Sequence, residues 1–415
     1  MHVIVVGGGI TGLTLALSLH AVGVSCRVYE AAREILKLGV GINLLPHAVR
    51  ELTELQLQSA LARVAVATRE MAFFNRFGQF IYQEPRGRHA GYDWPQFSVH
   101  RGELHFVQLA AVHERLGADA VQLDHRCTGF TQDADGVTAH FVDRPCVRGD
   151  ALIACDGIHS ALRHQIFPDE GALVYTGINM WRGVSRWPPF LTGASMVQAG
   201  WLDVGKLVIY PISDTVDAEG RQLINWTAEI RSPRNVMADW NRAGRMEDFA
   251  PVFADWRFAW LDVPGLLAHS ERVYEYPMVD RDPLPRWTHG RVTLVGDAAH
   301  PMYPRGGNGA GQGILDARTL AGCLARESDP LAALSAYETA RLKTANDVVL
   351  ANRSTPPDTI LRLVHERTGD KPFERIERIE DVVSAEELRA LMERYKHLAG
   401  FQRDALRERR SLVGR

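Results

Sequence analysis

The spacing of apolar and polar positions changes several times along this chain, and each change marks an element. The mostly β-branched run His2-Val-Ile-Val-Val6 leads into Gly7-Gly8-Gly9, and from Ile10 to Ala21 the pattern becomes helical and apolar. That order reads as strand, tight turn, helix. A second strand over Cys26–Glu30 completes a βαβ unit across residues 2–30. A glycine-bearing loop, Leu38-Gly-Val-Gly-Ile-Asn43, precedes an amphipathic helix around Pro46–Leu57. Residues 71–84 predict a hairpin about Gly78, and His100-Arg101-Gly-Glu-Leu104 opens a helix to about Leu116. Alternation over 121–142, with a turn at Asp135-Gly136, predicts further strands.

Ala151–Ala154 is a short buried strand that runs into Asp156-Gly157. From about 179 to 276 the strands become aromatic, as in Met180-Trp-Arg182, Lys206–Tyr210 and Leu223–Trp226. This texture predicts a second, α+β domain on an antiparallel sheet. The α/β pattern resumes at Arg291–Val295, so the first domain is discontinuous. The expected division is 1–70, 98–178 and 277–350 for a Rossmann-like nucleotide domain, 71–97 and 179–276 for the second, and 351–415 for a helical extension. That extension follows Pro356-Pro357 and holds a capping box, Ser384-Ala-Glu-Glu387. It covers the core, joins two copies or stays solvated; packing or solvation is the simpler expectation.

Composition narrows the function. A chain of 415 residues is long enough for two domains. Hydrophobic residues at 46% and charged ones at 23% are ordinary for a soluble enzyme, and a net charge of −3 argues against nucleic acid or an anionic membrane as partner. The apolar run Ile10–Ala21 is too short to span a bilayer. The fingerprint occupies the first residues, so a cytoplasmic protein without a cleaved signal is expected. Five cysteines without CxxC pairing read as buried thiols in a reducing compartment. Sixteen scattered histidines suggest no metal site.

The candidate chemistry gathers at glycine turns. In Gly7-x-Gly9-x-x-Gly12, Gly7 permits the turn, Gly9 lets backbone approach a pyrophosphate, and Gly12 lets the helix lie against the strand. The helix start, with Ile10 and Thr11, offers free N–H groups to phosphates. Glu30, eighteen residues past Gly12, stands where an acid accepts hydrogen bonds from a ribose. Gly296-Asp297-Ala-Ala-His300-Pro301 places a carboxylate at a strand's carboxyl end, suited to a polyol, with His300 read as structural. The loop Pro304-Arg-Gly306-Gly307-Asn308-Gly309-Ala310-Gly311 then opens a helix, bare enough of side chains to touch a flat ring. In Asp156-Gly157-Ile-His-Ser160-Ala-Leu-Arg163, Asp156 or Ser160 caps a helix.

These three motifs resemble, in order and spacing over roughly residues 1–350, the single-component FAD-dependent aromatic hydroxylases, the 4-hydroxybenzoate hydroxylase-like flavoproteins. Within them the loop at 38–43, the His100 helix start, Met180-Trp-Arg-Gly and Tyr276-Pro-Met-Val-Asp-Arg-Asp-Pro-Leu-Pro are most similar to phenazine-modifying monooxygenases. The resemblance implies the Rossmann-like GR2 FAD-binding fold. It places Glu30 and Arg33 at the adenosine ribose, Gly41 and Ile42 by the isoalloxazine, and Arg101 at the pyrophosphate or ribitol. Cys127 would touch adenine through its backbone. Asp156 and Gly157 would hold FAD and a passing nicotinamide cofactor, Gly296 and Asp297 the ribitol, and Pro304, Gly309 and Ala310 the flavin. It further implies NADH or NADPH as co-substrate, O₂, and a flavin C4a-hydroperoxide that hydroxylates a small aromatic or heteroaromatic acid. The chain has one GxGxxG, so the nicotinamide would bind transiently.

Substrate contacts are expected from Trp181, Arg182, Tyr210, Trp226 and Met302, with Tyr303 as a hydrogen-bonding or proton-relay group. Arg182 would pair with a substrate carboxylate or form a salt bridge within the sheet. A flavin oxidase or dehydrogenase without oxygen insertion, and a non-catalytic flavin redox sensor, stay open alternatives. A monomer and a homodimer are equally compatible with the sequence.

Overall fold

The computed structural model describes residues 1–37, 39–233, 242–372 and 379–414; Leu38 of the expected glycine-bearing loop lies outside the described residues. Its first layer is a six-stranded sheet. From one edge its strands are Thr288–His289, Val292–Leu294, Ala151–Ala154, His2–Val6, Ser25–Tyr29 and Val121–Gln122. The pairings are parallel except at Thr288–His289. Val3, Ile4, Val5, Leu152, Ile153, Val292 and Leu294 are fully buried, as strands covered on both faces must be. Helices Ile10–Ala21, Arg101–Leu116 and Gly309–Arg326 pack together beside this sheet. Close approach depends on glycine: a Cβ on Gly12 would lie 1.9 Å from the Gly7 carbonyl oxygen.

The second layer is a seven-stranded sheet. Its order is Ser270–Asp280, Val174–Trp187, Gln222–Arg231, Gly205–Pro211, Ser195–Trp201, Glu70–Phe74 and Phe80–Pro85. The last two form the expected hairpin. Register fixes which side chains share a face. Trp181, Ala228, Leu207 and Ala199 stand opposite one another across four strands, as do Arg182, Thr227, Val208 and Gln198. The first row packs on Phe249, Phe253, Trp256 and Leu266 in a core of its own. The second row faces the nucleotide layer. A three-stranded sheet, Gly41–Leu44, Phe97–His100 and Ala65–Ala67, lies between.

The extension packs rather than standing free. Leu388, Met392 and Tyr395 on helix Ala385–Leu398 are buried, with Phe401 and Leu406 beyond it. Ser384 Oγ accepts from Glu387 N at 3.1 Å, whereas the Glu387 carboxylate takes Arg367 instead of closing the box. The cysteine expectation needs correction. Cys155 and Cys323 are buried, but Cys26 and Cys127 are half-buried and Cys146 is exposed. Cys146 lies on Arg144–Gly149, an edge strand of a three-stranded sheet with most of its residues in solvent. Among the described residues no helix is long and apolar enough to cross a membrane.

Candidate active site

A cavity of about 730 Å³ runs between the two layers. At its nucleotide end two helices begin without a side-chain cap, Ile10–Ala21 after Gly9 and Gly309–Arg326 after Asn308. Uncapped helix starts leave their first N–H groups free for an anion. Gly9 has nothing within 4 Å of a built Cβ, so the approach is open. Gly9, Ile10, Thr11, Gly41, Ile42, Arg101, Asp156, Gly157, Asp297, Pro304, Gly309 and Ala310 all line the cavity. Gly7, Gly12 and Gly296 shape the turns behind it; Gly7 and Gly296 hold φ of 104° and 63°.

Glu30 ends its strand by accepting from Gly8 N at 2.7 Å and Ala32 N at 2.8 Å, which positions its carboxylate beside the first turn. Arg33 is 89% exposed and sits 3.5 Å from Asp124, away from the cavity lining. Cys127 turns its thiol to Gly129 O at 3.6 Å and is also absent from that lining.

The two carboxylate motifs are tied together. Ser160 Oγ caps its helix at Arg163 N, and Asp156 Oδ2 accepts from Ala161 N at 3.0 Å, so both expected caps form. Arg163 pairs with Glu170 and donates to Ala298 O and Ala299 O at 3.0 and 2.8 Å. The Asp156 helix thereby braces the Asp297 turn. Beneath that turn Asp316 accepts from Gly296 N at 3.1 Å, His300 Nε2 at 2.5 Å and Arg341 Nε at 2.7 Å. Burial pushes the Asp316 carboxyl up, but His300 and Arg341 override it and hold its pKa at about 2. His300 is therefore a structural partner of a permanent anion. Burial raises Asp297 and Asp156 above the usual carboxylate range. Asp156 Oδ1 has no hydrogen-bond partner and Arg101 forms no ion pair among the described residues. An orphan acceptor, a free guanidinium and two bare helix starts fit the hydroxyls and pyrophosphate of a dinucleotide such as FAD.

At the other end, Arg182, Tyr210 and Met302 line the cavity, with Arg182 donating to Gly41 O at 2.8 Å. Trp181 and Trp226 do not. They occupy the opposite face of the sheet, each stacked 5.5 Å from Phe249, because strand alternation turns neighbours of cavity residues into the core. Tyr303 is likewise turned inward. Its hydroxyl donates to Val174 O at 3.3 Å and its ring joins Met180, Ile178 and Ile360. The carboxylate of Asp280 and burial both push that phenol upward, with burial the larger cause.

Residues without a sequence motif complete the site. Lys206, Glu229 and Arg305 line it. Lys206 Nζ lies 2.6 Å from Asp358 and 3.0 Å from Glu229, and Arg305 reaches both Asp358 oxygens at 3.1 and 3.0 Å. Two cations meet two carboxylates, all buried or nearly so. From the extension come Met392, Tyr395, Lys396 and Phe401. Tyr395 Oη donates to Asn352 Oδ1 at 2.9 Å and sits so close to Gly306 that a Cβ there would lie 1.6 Å away. Phe401 stacks on His47 at 5.3 Å, and His47 Nε2 meets Asn308 Oδ1 at 3.0 Å.

Comparison with known proteins agrees with this geometry. The FAD binding domain family matches residues 1–179 and 250–352. The phenazine 1,6-dicarboxylic acid hydroxylase of Lysobacter antibioticus is 44% identical over 375 residues, covering 88% of this chain and 92% of that one. The 3-amino-4-hydroxybenzoate 2-monooxygenase PtnB3 of Streptomyces platensis is 34% identical over 92% of this chain and 94% of its own. Among solved structures, Klebsiella pneumoniae HpxO with FAD and uric acid superposes with a TM-score of 0.76 at 26% identity, covering 98% of this chain and 96% of that one.

Proposed function

Because this chain belongs to the FAD-dependent aromatic hydroxylases, we propose that it hydroxylates a fused-ring heteroaromatic acid of the phenazine type. One observation carries the choice of substrate class. Five of the nine methionines, Met71, Met180, Met196, Met302 and Met392, line one cavity. Thioethers are polarisable and conform to aromatic faces and edges, so this lining suits a broad flat ring system. Arg182 adds the charge: its cavity partner is a backbone carbonyl and, among the described residues, no carboxylate neutralises it. A substrate carboxylate would accept its planar fork. The name of the Lysobacter relative, a hydroxylase of a phenazine diacid, points the same way.

Bound FAD would supply the activation of O₂ after reduction by NADH or NADPH. The protein's part is placement. The helix starts at Ile10 and Gly309, with Arg101, would hold the pyrophosphate and the flavin's electron-rich edge. Glu30 would accept from the adenosine ribose and Asp297 from the ribitol. The methionines and Phe401 exclude water from the ring, and Tyr395 presents a neutral hydroxyl, its pKa raised by burial.

The test is direct. Purified holoenzyme is given NADH or NADPH under isotope-labelled O₂, with phenazine-1-carboxylate, phenazine-1,6-dicarboxylate or benzoate-type acids. Reductant consumption should be stimulated by a phenazine acid, and one labelled oxygen should appear on the product ring. Stimulation only by single-ring acids would refute the substrate class. Unstimulated consumption yielding hydrogen peroxide alone would refute hydroxylation of these acids.

A further inference from the structure

Two polar clusters of this cavity differ in how fully their charges are paired in the interior. Lys206 and Arg305 face Glu229 and Asp358, two against two, and that group is complete without a ligand. The second cluster lies toward the Phe80–Pro85 edge of the seven-stranded sheet, several strands from Arg182. There Arg86, which follows the strand Phe80–Pro85, is 7% exposed. Its Nη2 lies 2.9 Å from Glu84 Oε1 and 2.7 Å from Met71 Sδ, while its Nε has no partner among the described residues. Lys396, from helix Ala385–Leu398, places Nζ 3.4 Å from the other oxygen of the same Glu84.

So two cations share one buried carboxylate. Lys396 Nζ also lies 2.8 Å from Glu393 Oε1, but Glu393 is 53% exposed and a solvated partner offsets little. Of the two acids that meet these cations, only Glu84 is buried. The side-chain carbonyl oxygens of Gln96 and Gln198, each residue 2% exposed, are also without partners among the described residues. Arg86, Gln96, Gln198 and Lys396 all line the cavity. The unpartnered N–H of a buried guanidinium costs free energy, and a carboxylate accepting from it would remove that cost. The glutamine oxygens are themselves acceptors, so the amides contribute by turning their NH₂ groups toward the anion. The guanidinium fork selects a planar carboxylate. Met71 and Met196 next to it offer an apolar surface to the ring that carries it.

We propose that Arg86 and Lys396, with Gln96 and Gln198, form a subsite for a second carboxylate on the substrate, at the end of the cavity opposite Arg182. The proposal rests on the aromatic-acid reading above and specifies a diacid as the preferred substrate.

Oxidised, FAD-loaded enzyme is titrated with phenazine-1,6-dicarboxylate and with phenazine-1-carboxylate, and binding is followed by the flavin absorbance. Wild type should bind the diacid about tenfold or more tightly than the monoacid, the scale of one charge-assisted contact. Arg86→Gln and, at a less buried position, Lys396→Met should each bring that preference to within about threefold. The subsite is overturned if wild type binds both acids alike, or if the preference survives in both variants. Should wild type bind neither acid, the reading of the substrate class fails first and the subsite falls with it.

Discussion

Asn in place of Asp358 would strand two cations in the protein interior. Asp358 is fully buried and accepts from Lys206 at 2.6 Å and from Arg305 at 3.1 and 3.0 Å. Glu229 alone cannot neutralise both, so Asp358→Asn leaves a net positive charge out of water. Breaking a buried pair on one side costs about 3–5 kcal/mol, whereas replacing both partners by apolar groups is often nearly neutral. Unfolding entropy of about 2.1 cal/mol/K per residue, over 415 residues, makes each kcal/mol worth about 1 °C. FAD-saturated Asp358→Asn should therefore melt about 3–6 °C below wild type in a thermal-shift assay.

The paired variant is the sharper measurement. Lys206→Met with Asp358→Leu removes one charge of each sign and leaves Arg305 with Glu229. It should be at least about 2 kcal/mol more stable than Asp358→Asn alone. Acid should tell the same story. Burial raises the Asp358 carboxyl, but Lys206 and Arg305 outweigh it and hold its pKa below the usual range. Its contribution is thus present above the ordinary carboxylate value near 3.9 and is lost as pH falls through the lower folded value. A drop of less than about 1 °C for Asp358→Asn, or a double variant no more stable than the sum of its singles, would refute the account of this cluster.

Three further outcomes are expected. Gly12→Ala puts a methyl group 1.9 Å from the Gly7 carbonyl oxygen, so the protein should purify with at most about a tenth of the flavin absorbance of wild type; full occupancy would contradict the tight strand–helix approach. His47 is buried, and burial with the Arg409 charge holds its pKa down to about 3. Its stabilising share is present above pH 6.5 and falls as pH drops, by about 2 kcal/mol between pH 6.5 and 5; a melting-temperature slope over that range unchanged in His47→Gln would exclude it. Tyr395→Phe deletes the bond to Asn352 and should cost about 1 kcal/mol of stability. If that hydroxyl also orients the substrate, product formed per reductant consumed should fall severalfold, which a purely structural tyrosine would not produce.

What could be read from the chain and what could not divides along a physical line. The strand–turn–helix at His2–Ala21 is legible because its constraints are local: a β-branched run, a turn needing φ above zero at Gly7, and a helix that tolerates no Cβ at Gly12. The ends of the Asp156 and Asp297 motifs are legible for the same reason. The second sheet is different, since alternation states that two faces exist and not which one is covered. Trp181 and Arg182 are neighbours on opposite faces. What decides between them is Phe249, Phe253 and Trp256, from a segment about seventy residues on, which closes over the tryptophan face.

One signal in the strands was nonetheless available. Lys206, Gln198 and Glu229 are polar groups inside otherwise apolar runs, and a charge there needs either a buried partner or a cavity. Arg182 faces Thr227 and, through it, Val208 and Gln198, so one polar member identifies the face for its neighbours. Arg182 shares that face with Gln198 and Lys206, whereas Trp181 beside it points to the opposite one. The extension offers no such thread. Leu388, Met392 and Tyr395 mark an apolar stripe at helical spacing, but that stripe specifies only that something is covered. That it covers Gly306 follows from where helix Pro330–Ser354 ends and the chain turns back, a long-range consequence of packing that no local pattern encodes.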